Sequence, residues 1–332
     1  MSAPKYDVLG IGNAIVDILV PTSDSFLEEE GLEKGTMELV NAERVNELYS
    51  KIGPAVECSG GSAANTIAAL TSLGGRGAFI GKLHDDTLGQ VFRRDIKALG
   101  VSFKTPAATD GLPTATSLVL VSPDAERTMQ TYLGACAELT PDDIDEGEVS
   151  AATVTYLEGY LWDPPAAKEA FMKAAGIAHA KGRVVSLSLS DPFCVDRHRA
   201  DFLHLVSDHV DILFANEEEI ISLYKADDFG TALAAVKKHC KMAALTRGAK
   251  GSVVLAGGEF IMVDPEPIEH LIDTTGAGDA YAAGFLFGLS QGKDLARCAR
   301  IGNIIAADVI QHMGARSDRS LKNLIASKLE CA

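Results

Sequence analysis

The chain is poor in aromatic residues and has a single tryptophan, Trp162. Its six cysteines form no C-x-x-C pair, which argues against a zinc knuckle or a dithiol redox motif and favours reduced thiols. No apolar run reaches membrane-spanning length, and the first residues lack the basic and apolar stretches of a signal peptide. We therefore expect a cytoplasmic protein that makes no contact with a membrane.

Positive charge is also scarce. The 332 residues include 30 Lys and Arg against 46 Asp and Glu, for a formal net charge of -16. Because phosphate backbones repel acidic proteins, we predict no binding to nucleic acid, although a small nucleotide can still bind at a locally positive site. The length and the apolar share of 47% suffice for one large α/β domain.

One short string carries the most specific chemistry. Residues 273–279 read D-T-T-G-A-G-D and precede an apolar helical segment. Gly276, Ala277 and Gly278 stand where the helix begins, so backbone N–H groups and the positive end of the helix dipole can face an anion. Asp279 is suited to accept a proton from a hydroxyl that attacks a phosphate. An aspartate in the first turn of a helix is also ordinary dipole complementation.

The longer string D-T-T-G-A-G-D-A-Y-A-A-G-F is more specific than its glycines. It closely resembles the C-terminal signature of the ribokinase-like (PfkB-type) family of sugar and nucleoside kinases. The resemblance implies that Asp279 is the catalytic base and that Gly276, Ala277 and Gly278 form the anion hole, with Gly278 also touching ATP. It further implies ATP and Mg²⁺ as cofactors, with a small-molecule acceptor as the other substrate.

The apolar pattern predicts an α/β fold. Beyond about Thr153, strands and helices alternate, which favours a three-layer, mostly parallel central sheet with helices on both faces and a site at the carboxyl ends of the strands. Strands are predicted at Tyr6–Ile11, Ile15–Val20, Gly77–Lys82, Thr114–Val121, Arg127–Leu133, Val154–Gly159, Val184–Leu189, Ile212–Ala215, Ala243–Thr246 and Ser252–Ala256. Helices are predicted at Ser59–Leu73, Asp86–Leu99, Ala166–Lys181, Arg197–Val206, Glu217–Tyr224 and Thr231–His239.

The first 135 residues depart from this alternation. Segments at about residues 15–45 and 107–135 have a β pattern without intervening helices. The family resemblance implies that they form a small β-sheet lid within a single ribokinase-like kinase domain spanning residues 1–332. The pattern leaves open whether the protein is a monomer or a homodimer.

Two segments near the N-terminus are candidates for binding the phosphate acceptor. Asp17 after the first strand suits either a turn or a carboxylate that grips two neighbouring hydroxyls. Gly61 and Asn65 belong to a second Gly-rich helix entrance, which a helix N-cap at Ser62 also explains. The segments resemble the family elements G-N-x-x-x-D and G-G-x-x-x-N, which implies that Asn13, Asp17, Gly61, Ser62 and Asn65 bind the substrate.

Two further segments follow predicted strands and match family elements. Asn216 and Glu219 stand in an acidic helix start that also resembles N-x-x-E, which implies that Asn216 lies near the phosphates and Glu219 acts on Mg²⁺ through water. Thr246, Gly248 and Gly251 fit either a hairpin turn or the family segment T-x-G-x-x-G, which implies contact with ATP.

Three residues farther along the chain complete the candidates. Asn303 lies on the helix after the signature, where it is either structural or close to the adenine of ATP. Asp273 and the backbone of Thr275, together with the later segment 314–317, match the place where some family members bind a monovalent cation such as K⁺.

The acceptor is predicted to be a nucleoside. Residues 186–193, S-L-S-L-S-D-P-F, resemble the N-L-S-x-P-F element of adenosine kinases, with Ser188 in place of its asparagine. Leu133, Cys136, Leu161 and Trp162 are available to line a slot for a base, but they are equally suited to a core.

Three alternatives are weighed against this prediction. A sugar kinase of the same family would act on ribose, fructose or a keto-deoxy sugar acid. A non-catalytic nucleoside sensor would be expected to lack Asp279, which is present. A dinucleotide-binding dehydrogenase is disfavoured because Ile15 stands where its third glycine should be.

Overall fold

The structure, a computed structural model, describes residues 3–124 and 126–330. Its strands are β1 Tyr6–Ile11, β2 Ile15–Pro21, β3 Met37–Leu39, β4 Val56–Gly60, β5 Gly77–Ile80, β6 Ser102–Phe103, β7 Ala115–Val121, β8 Arg127–Tyr132, β9 Ala152–Glu158, β10 Val184–Ser188, β11 Ile212–Asn216, β12 Met242–Thr246, β13 Ser252–Ala256 and β14 Glu259–Val263. Its α-helices are α1 Asp24–Glu29, α2 Ala42–Lys51, α3 Ser62–Ser72, α4 Thr87–Ala98, α5 Glu146–Ser150, α6 Pro165–Ala180, α7 Pro192–Asp208, α8 Glu217–Tyr224, α9 Phe229–His239, α10 Ala277–Ser290, α11 Leu295–Val309 and α12 Leu321–Glu330.

The larger sheet has nine strands in the order β14-β13-β12-β11-β10-β9-β1-β5-β6. The pairs from β12 through β6 are parallel, whereas β13 and β14 run antiparallel at one edge. Helices cover both faces, because alternate residues of the buried strands point to opposite sides. On β11, Leu213 belongs to the core that contains α6 and α7, and Phe214 belongs to the core that contains α3 and α10. The predicted fold class is confirmed.

The smaller sheet has five strands in the order β3-β8-β7-β2-β4. After β1 the chain leaves the larger sheet, and strand β2 pairs with β7 and β4 of the smaller sheet. Strands β7 and β8 form a hairpin. Two details differ from the β-only segments expected here. Helices α1 and α2 interrupt the first segment, capped by Ser23 and Asn41. The strand β4 lies outside both predicted segments. The action of this sheet as a lid stays a prediction.

The start of one helix and the presence of one edge strand differ from the pattern-based prediction for physical reasons. The helix expected from Ser59 begins at Ser62, since Gly61 has a φ of +96° that ends strand β4 and turns the chain. Strand β14 was not predicted, because its side chains are largely exposed at the sheet edge and give no buried apolar run. No helix among the described residues has both the length and the apolar character needed to span a membrane.

Helices α10 and α11 approach so closely that a glycine lies at their contact. A methyl group on Gly284 would lie 2.8 Å from the backbone of Gly302. Backbone cannot yield as a flexible side chain does, so α10, which carries the predicted anion hole, is held by this contact.

We expect Gly284→Ala to lower the free energy of unfolding by about 1–3 kcal/mol, because the added methyl forces two helices apart. The matched control is Gly176→Ala on the exposed face of α6, where a methyl group meets nothing within 4 Å. That control should raise stability by about 0.5–1 kcal/mol through helix propensity. Urea unfolding measures both, and equal stability of the two variants would contradict the close-contact interpretation.

Candidate active site

The candidate residues gather at the carboxyl ends of the parallel strands of the larger sheet. Asn13 follows β1, Glu158 ends β9, Asn216 ends β11 and Thr246 ends β12. The register aligns these ends, since Asn216 pairs with Thr246 and Glu158 with Ser188. Because parallel strands end at one edge, residues far apart in the chain meet there.

Asp279 lies where the N-termini of α3 and α10 meet. The Ser62 hydroxyl donates to Asp279 Oδ1 at 2.6 Å, and Asn65 Nδ2 lies 3.4 Å from Asp279 Oδ2. The sequence predicted Ser62 and Asn65 as acceptor-binding residues and Asp279 as the base, and the fold brings the three together. The Asp279 side chain is half-buried at this meeting point.

Asp17 approaches the same cleft from the smaller sheet. It lies on β2 opposite Cys58 of β4, and any side chain larger than hydrogen at Gly60 would collide with its carboxylate. Gly61 is similarly constrained, since a Cβ there would strike the Asn13 carbonyl oxygen. These glycines allow strand β4 and the start of α3 to pack directly against the candidate residues.

Burial makes both carboxylates more basic than ordinary aspartates. Desolvation raises the pKa of Asp279 to about 6, against the hydrogen bonds from Ser62 and Asn65 and the positive charge of Arg316. Desolvation likewise raises the pKa of Asp17 to about 6, against the charges of Arg316 and Arg127. A carboxylate with a pKa nearer neutrality is a better proton acceptor while it is still ionised at pH 7.

Sequence reasoning missed Glu158, which is almost fully buried at 1% exposure. Its Oε1 accepts from Asn13 Nδ2 at 2.7 Å, and its Oε2 accepts from the Ala63 amide at 2.7 Å. Burial raises the pKa of Glu158 to about 7, and the negative charge of Asp279 acts in the same direction. The side chain thus joins β9, the end of β1 and the first turn of α3. Its position at the carboxyl end of an apolar strand was the one signal that the sequence offered.

Two arginines, Arg127 and the partly exposed Arg316, were also not assigned. Arg127 of β8 forms an ion pair with Asp273 at 2.8 Å, and both side chains are under 10% exposed. The Arg316 guanidinium contacts Asn65. Both arginines lie in segments that the sequence had singled out, the hairpin and the stretch 314–317, but no pattern in one chain indicates what a lone arginine will meet.

The Arg127 ion pair bears on the predicted K⁺ site. Asp273 Oδ1 also accepts from the Thr275 amide at 2.9 Å, and Oδ2 accepts from the Gly314 amide at 2.8 Å. Asp273 is therefore already neutralised by a guanidinium and held by two amides. With Arg127 in place, the Asp273 carboxylate has no unpaired charge for a monovalent cation, and the K⁺ site stays a prediction.

The predicted anion hole begins at Gly276, which caps α10 with a left-handed φ of +77°. A Cβ there would lie 2.6 Å from the Ala315 carbonyl oxygen, so the position favours glycine on two grounds. The Ala277 amide donates to the Thr274 carbonyl at 3.2 Å, a bond it would exchange for one to a bound anion. Gly278 is exposed in the first turn.

Asn216 and Glu219 form a reciprocal cap at the start of α8. Glu219 accepts from the Asn216 amide at 3.0 Å and from Asn216 Nδ2 at 2.6 Å. Burial, joined by the negative charges of Asp191, Glu218 and Asp279, raises the pKa of Glu219 to about 7. Such an acidic field attracts a divalent cation, and one carboxylate acting through water suits Mg²⁺. In the described part of the chain, no three His, Cys, Asp or Glu side chains are grouped to hold a metal directly.

The predicted ATP segment continues from β12 into a 3₁₀ turn. Thr246 ends the strand, and Gly248 and Gly251 both have left-handed φ angles, +54° and +78°. The nearby cation Arg247 pairs with Glu217 at 3.1 Å. Asn303 donates from Nδ2 to the Asp264 carbonyl at 2.8 Å, which ties α11 to the end of β14 and leaves its role towards adenine a prediction.

The apolar residues considered for a base slot lie mostly in the core. Trp162 is 4% exposed, packs against Phe171 and Phe202, and donates from Nε1 to Asp201 at 3.0 Å. Cys136 is buried as well. These contacts favour packing over base stacking for Trp162.

Comparison with known proteins places this geometry in a family. The family model "pfkB family carbohydrate kinase" matches residues 39–322. The crystal structure of adenosine kinase from Sinorhizobium meliloti is 52% identical, with 99% of this chain and 100% of that chain covered and a TM-score of 0.91. A probable sugar kinase from Rhizobium etli CFN 42 is 48% identical, with 98% and 99% covered and a TM-score of 0.91. An ATP-dependent ribose-1-phosphate kinase from Halopiger xanaduensis is 31% identical over 79% of this chain and 83% of the relative.

The fold and these similarities define a kinase of adenosine-kinase-like character that acts on a nucleoside or a sugar. A kinase of this kind takes its phosphoryl group from ATP. The chain belongs to the pfkB family of carbohydrate kinases, as its signature at residues 273–279 indicated.

We expect Glu158→Gln to lower the free energy of unfolding by about 1–3 kcal/mol, because the amide NH₂ replaces an oxygen that accepts a hydrogen bond inside the core. Displacement of Asn13 and Ala63 should also raise KM for the acceptor more than for ATP. The control is Glu146→Gln, whose side chain is 70% exposed and should change stability by less than about 0.5 kcal/mol. Thermal unfolding and initial rates check both, and an unchanged acceptor KM would count against the positioning role.

Proposed function

We propose that the protein transfers the γ-phosphoryl group of ATP to the 5′-hydroxyl of adenosine, giving AMP and ADP. The observation that carries the proposal is the Asp279 carboxylate, held at 2.6 Å by Ser62 and at 3.4 Å by Asn65 beside the N-terminus of α10. A proton acceptor and a row of backbone amides therefore face one cleft. The 52% identity to an adenosine kinase over the whole chain favours adenosine as the acceptor.

In the proposed reaction, Asp279 takes the proton of the 5′-hydroxyl as its oxygen bonds to the γ-phosphorus. The bond from that phosphorus to the β–γ bridging oxygen breaks, and ADP leaves. The amides of Gly276, Ala277 and Gly278 stabilise the charge on the transferring oxygens. Asp17 and Asn65 hold the ribose hydroxyls, with Asn13 and Gly61 beside them.

The cofactor sites are proposed on the same edge of the sheet. Thr246, Gly248 and Gly251 line the ATP site with Asn303, and Asn216 lies near the phosphates. Glu219 would hold Mg²⁺ through water, and the bound ion would offset phosphate charge. The smaller sheet is proposed to close over the cleft and exclude water, so that ATP is not hydrolysed.

A second acceptor class is favoured by one observation. The charges of Arg127 and Arg316 both act on Asp17, so the acceptor side of the cleft has cations that could pair with an acidic sugar. The similarities to a probable sugar kinase and to a ribose-1-phosphate kinase agree with this alternative.

The experiment offers adenosine, ribose, fructose, a keto-deoxy sugar acid and ribose 1-phosphate with ATP·Mg²⁺ and measures ADP release. We expect the highest kcat/KM with adenosine, and the highest value with a sugar or sugar acid would reject adenosine as the acceptor.

Asp279→Asn should retain the fold and lower kcat at least about a hundredfold through loss of the base. The exposed control Asp227→Asn should be as active as the wild type.

We expect kcat/KM to fall about tenfold per pH unit below an apparent pKa of about 6, because Asp279 accepts a proton only when it is ionised. Asp17 titrates in the same pH range, so the apparent pKa in the pH profile belongs to Asp17 and Asp279 together. Both pKa values are raised by folding, so between about pH 4 and 6 the folded state binds more protons than the unfolded chain. These two groups therefore stabilise the fold as pH falls, and thermal unfolding at each pH separates lost catalysis from lost structure. A rate that is flat from pH 5 to 8 would contradict the assignment of the base.

A further inference from the structure

Arg316 connects three elements around the candidate base without touching the base itself. Its Nε donates to Asn65 Oδ1 at 2.9 Å and its Nη1 donates to Ser59 Oγ at 2.9 Å. Nη1 also lies 3.6 Å from Asp95 Oδ2 on α4. The preceding residue, Ala315, packs against Gly276, so the loop that carries Arg316 also lies against the start of α10.

The contact with Arg316 determines which way the Asn65 amide faces. A guanidinium has donors only, so the Asn65 atom that it meets must be the carbonyl oxygen. The NH₂ group must then point the other way, where it lies 3.4 Å from Asp279 Oδ2. An ionised carboxylate has acceptors only, so both ends of the arrangement demand the same amide orientation.

We propose that Arg316 is a positioning residue of the kinase reaction, which holds the Asn65 amide with its NH₂ group towards the Asp279 carboxylate and the acceptor hydroxyl. The inference rests on the proposed function of Asp279 as the base. Without Arg316, the amide can rotate and place a carbonyl oxygen against the carboxylate, where two acceptors repel each other.

The surroundings of Arg316 fit a functional role better than a purely structural one. Ser59 and Asp95 hold the Nη1 side, and Asp95 also accepts from the Ser59 hydroxyl at 2.5 Å. The Nη2 atom is buried and has no hydrogen-bond partner among the residues that the structure describes. A buried donor without a partner calls for an explanation, and a functional role at the site is one that fits the position of Arg316.

The charge of Arg316 also bears on the base. It lowers the pKa of Asp279, whereas the carboxylate of Asp17 raises it. The other polar or ionisable groups that face Asp279, from α3, β9, the turn after β9 and α8, are Ser62, Asn65, Tyr156, Glu158, Tyr160 and Glu219. None of these groups is a cation, and the positive charge that lowers the pKa of Asp279 is that of Arg316, so its removal should raise the apparent pKa of the base.

The test compares Arg316→Gln, Arg316→Lys and the control Arg319→Gln, a charge removal in the same loop on a side chain that is 59% exposed. We expect Arg316→Gln to lower kcat/KM about ten- to a hundredfold, as for loss of a charged hydrogen bond, and to move the acid limb of the pH profile upward. Arg316→Lys keeps the charge but not the forked contacts, so the rate should fall while the acid limb stays in place. Arg319→Gln should match the wild type.

A double-mutant cycle with Asn65→Ala isolates the route of the effect. If Arg316 acts through the Asn65 amide, the double variant Asn65→Ala/Arg316→Gln should lie within about twofold of Asn65→Ala alone in kcat/KM at the pH plateau. If the double variant loses kcat/KM by the product of the two single-variant factors, the proposal is overturned, because Arg316 would then act independently of Asn65.

Other results overturn the proposal equally clearly. The proposal is overturned if both Arg316 variants have the wild-type kcat/KM. It is also overturned if the loss of kcat/KM in the variants equals the loss of folded protein measured by thermal unfolding. Failure of both variants to fold would assign Arg316 to structure alone. If Asp279→Asn is fully active, the proposed function fails; if that variant is inactive and the Arg316 results are negative, only the present inference fails.

Discussion

The site depends on the meeting of two helix N-termini. Ser62 and Asn65 lie in the first turn of α3, and Asp279 lies in the first turn of α10. Their hydrogen bonds join positions 217 and 214 residues apart in the chain. Because each side chain is fixed by its own helix, the distance between them follows from how the helices pack on the larger sheet. A shift of either helix by about 1 Å would break these contacts, given the narrow distance range of a hydrogen bond.

Electrostatics reinforces this geometry. The protein is strongly acidic, and the carboxylates of Glu158 and Glu219 are buried near the strand ends. Desolvation raises the pKa values of Asp17, Glu158 and Asp279, and repulsion from a neighbouring carboxylate adds to the shift of Glu158 and Asp279, which destabilises the ionised site at neutral pH. The positive charges of Arg127 and Arg316 oppose this upward shift at Asp17. Sites of this kind are typical of catalysis, since a perturbed carboxylate is a useful proton acceptor and a poor structural element.

The sequence singled out some residues of the candidate site and missed others for a common reason. Asp279 and Asn65 stood in contiguous, glycine-marked strings beside helix starts, so local spacing sufficed to single them out. Glu158 and Arg316 stand in no such string, and their roles come from partners 145 and 251 residues away. The K⁺ site drawn from Asp273 met the same limit, since the arginine that pairs with its carboxylate comes from strand β8 of the smaller sheet.

The signature string indicated the family by resemblance, and periodicity predicted the alternating α/β order, because both belong to residues that are neighbours in the chain. The tertiary structure decided which polar atoms are buried, which donor faces which acceptor, and how far each carboxylate's pKa moves. It also decided that Trp162 packs in the core. Desolvation and hydrogen-bond direction depend on atoms that folding brings together from distant segments, and a single sequence does not specify those distances.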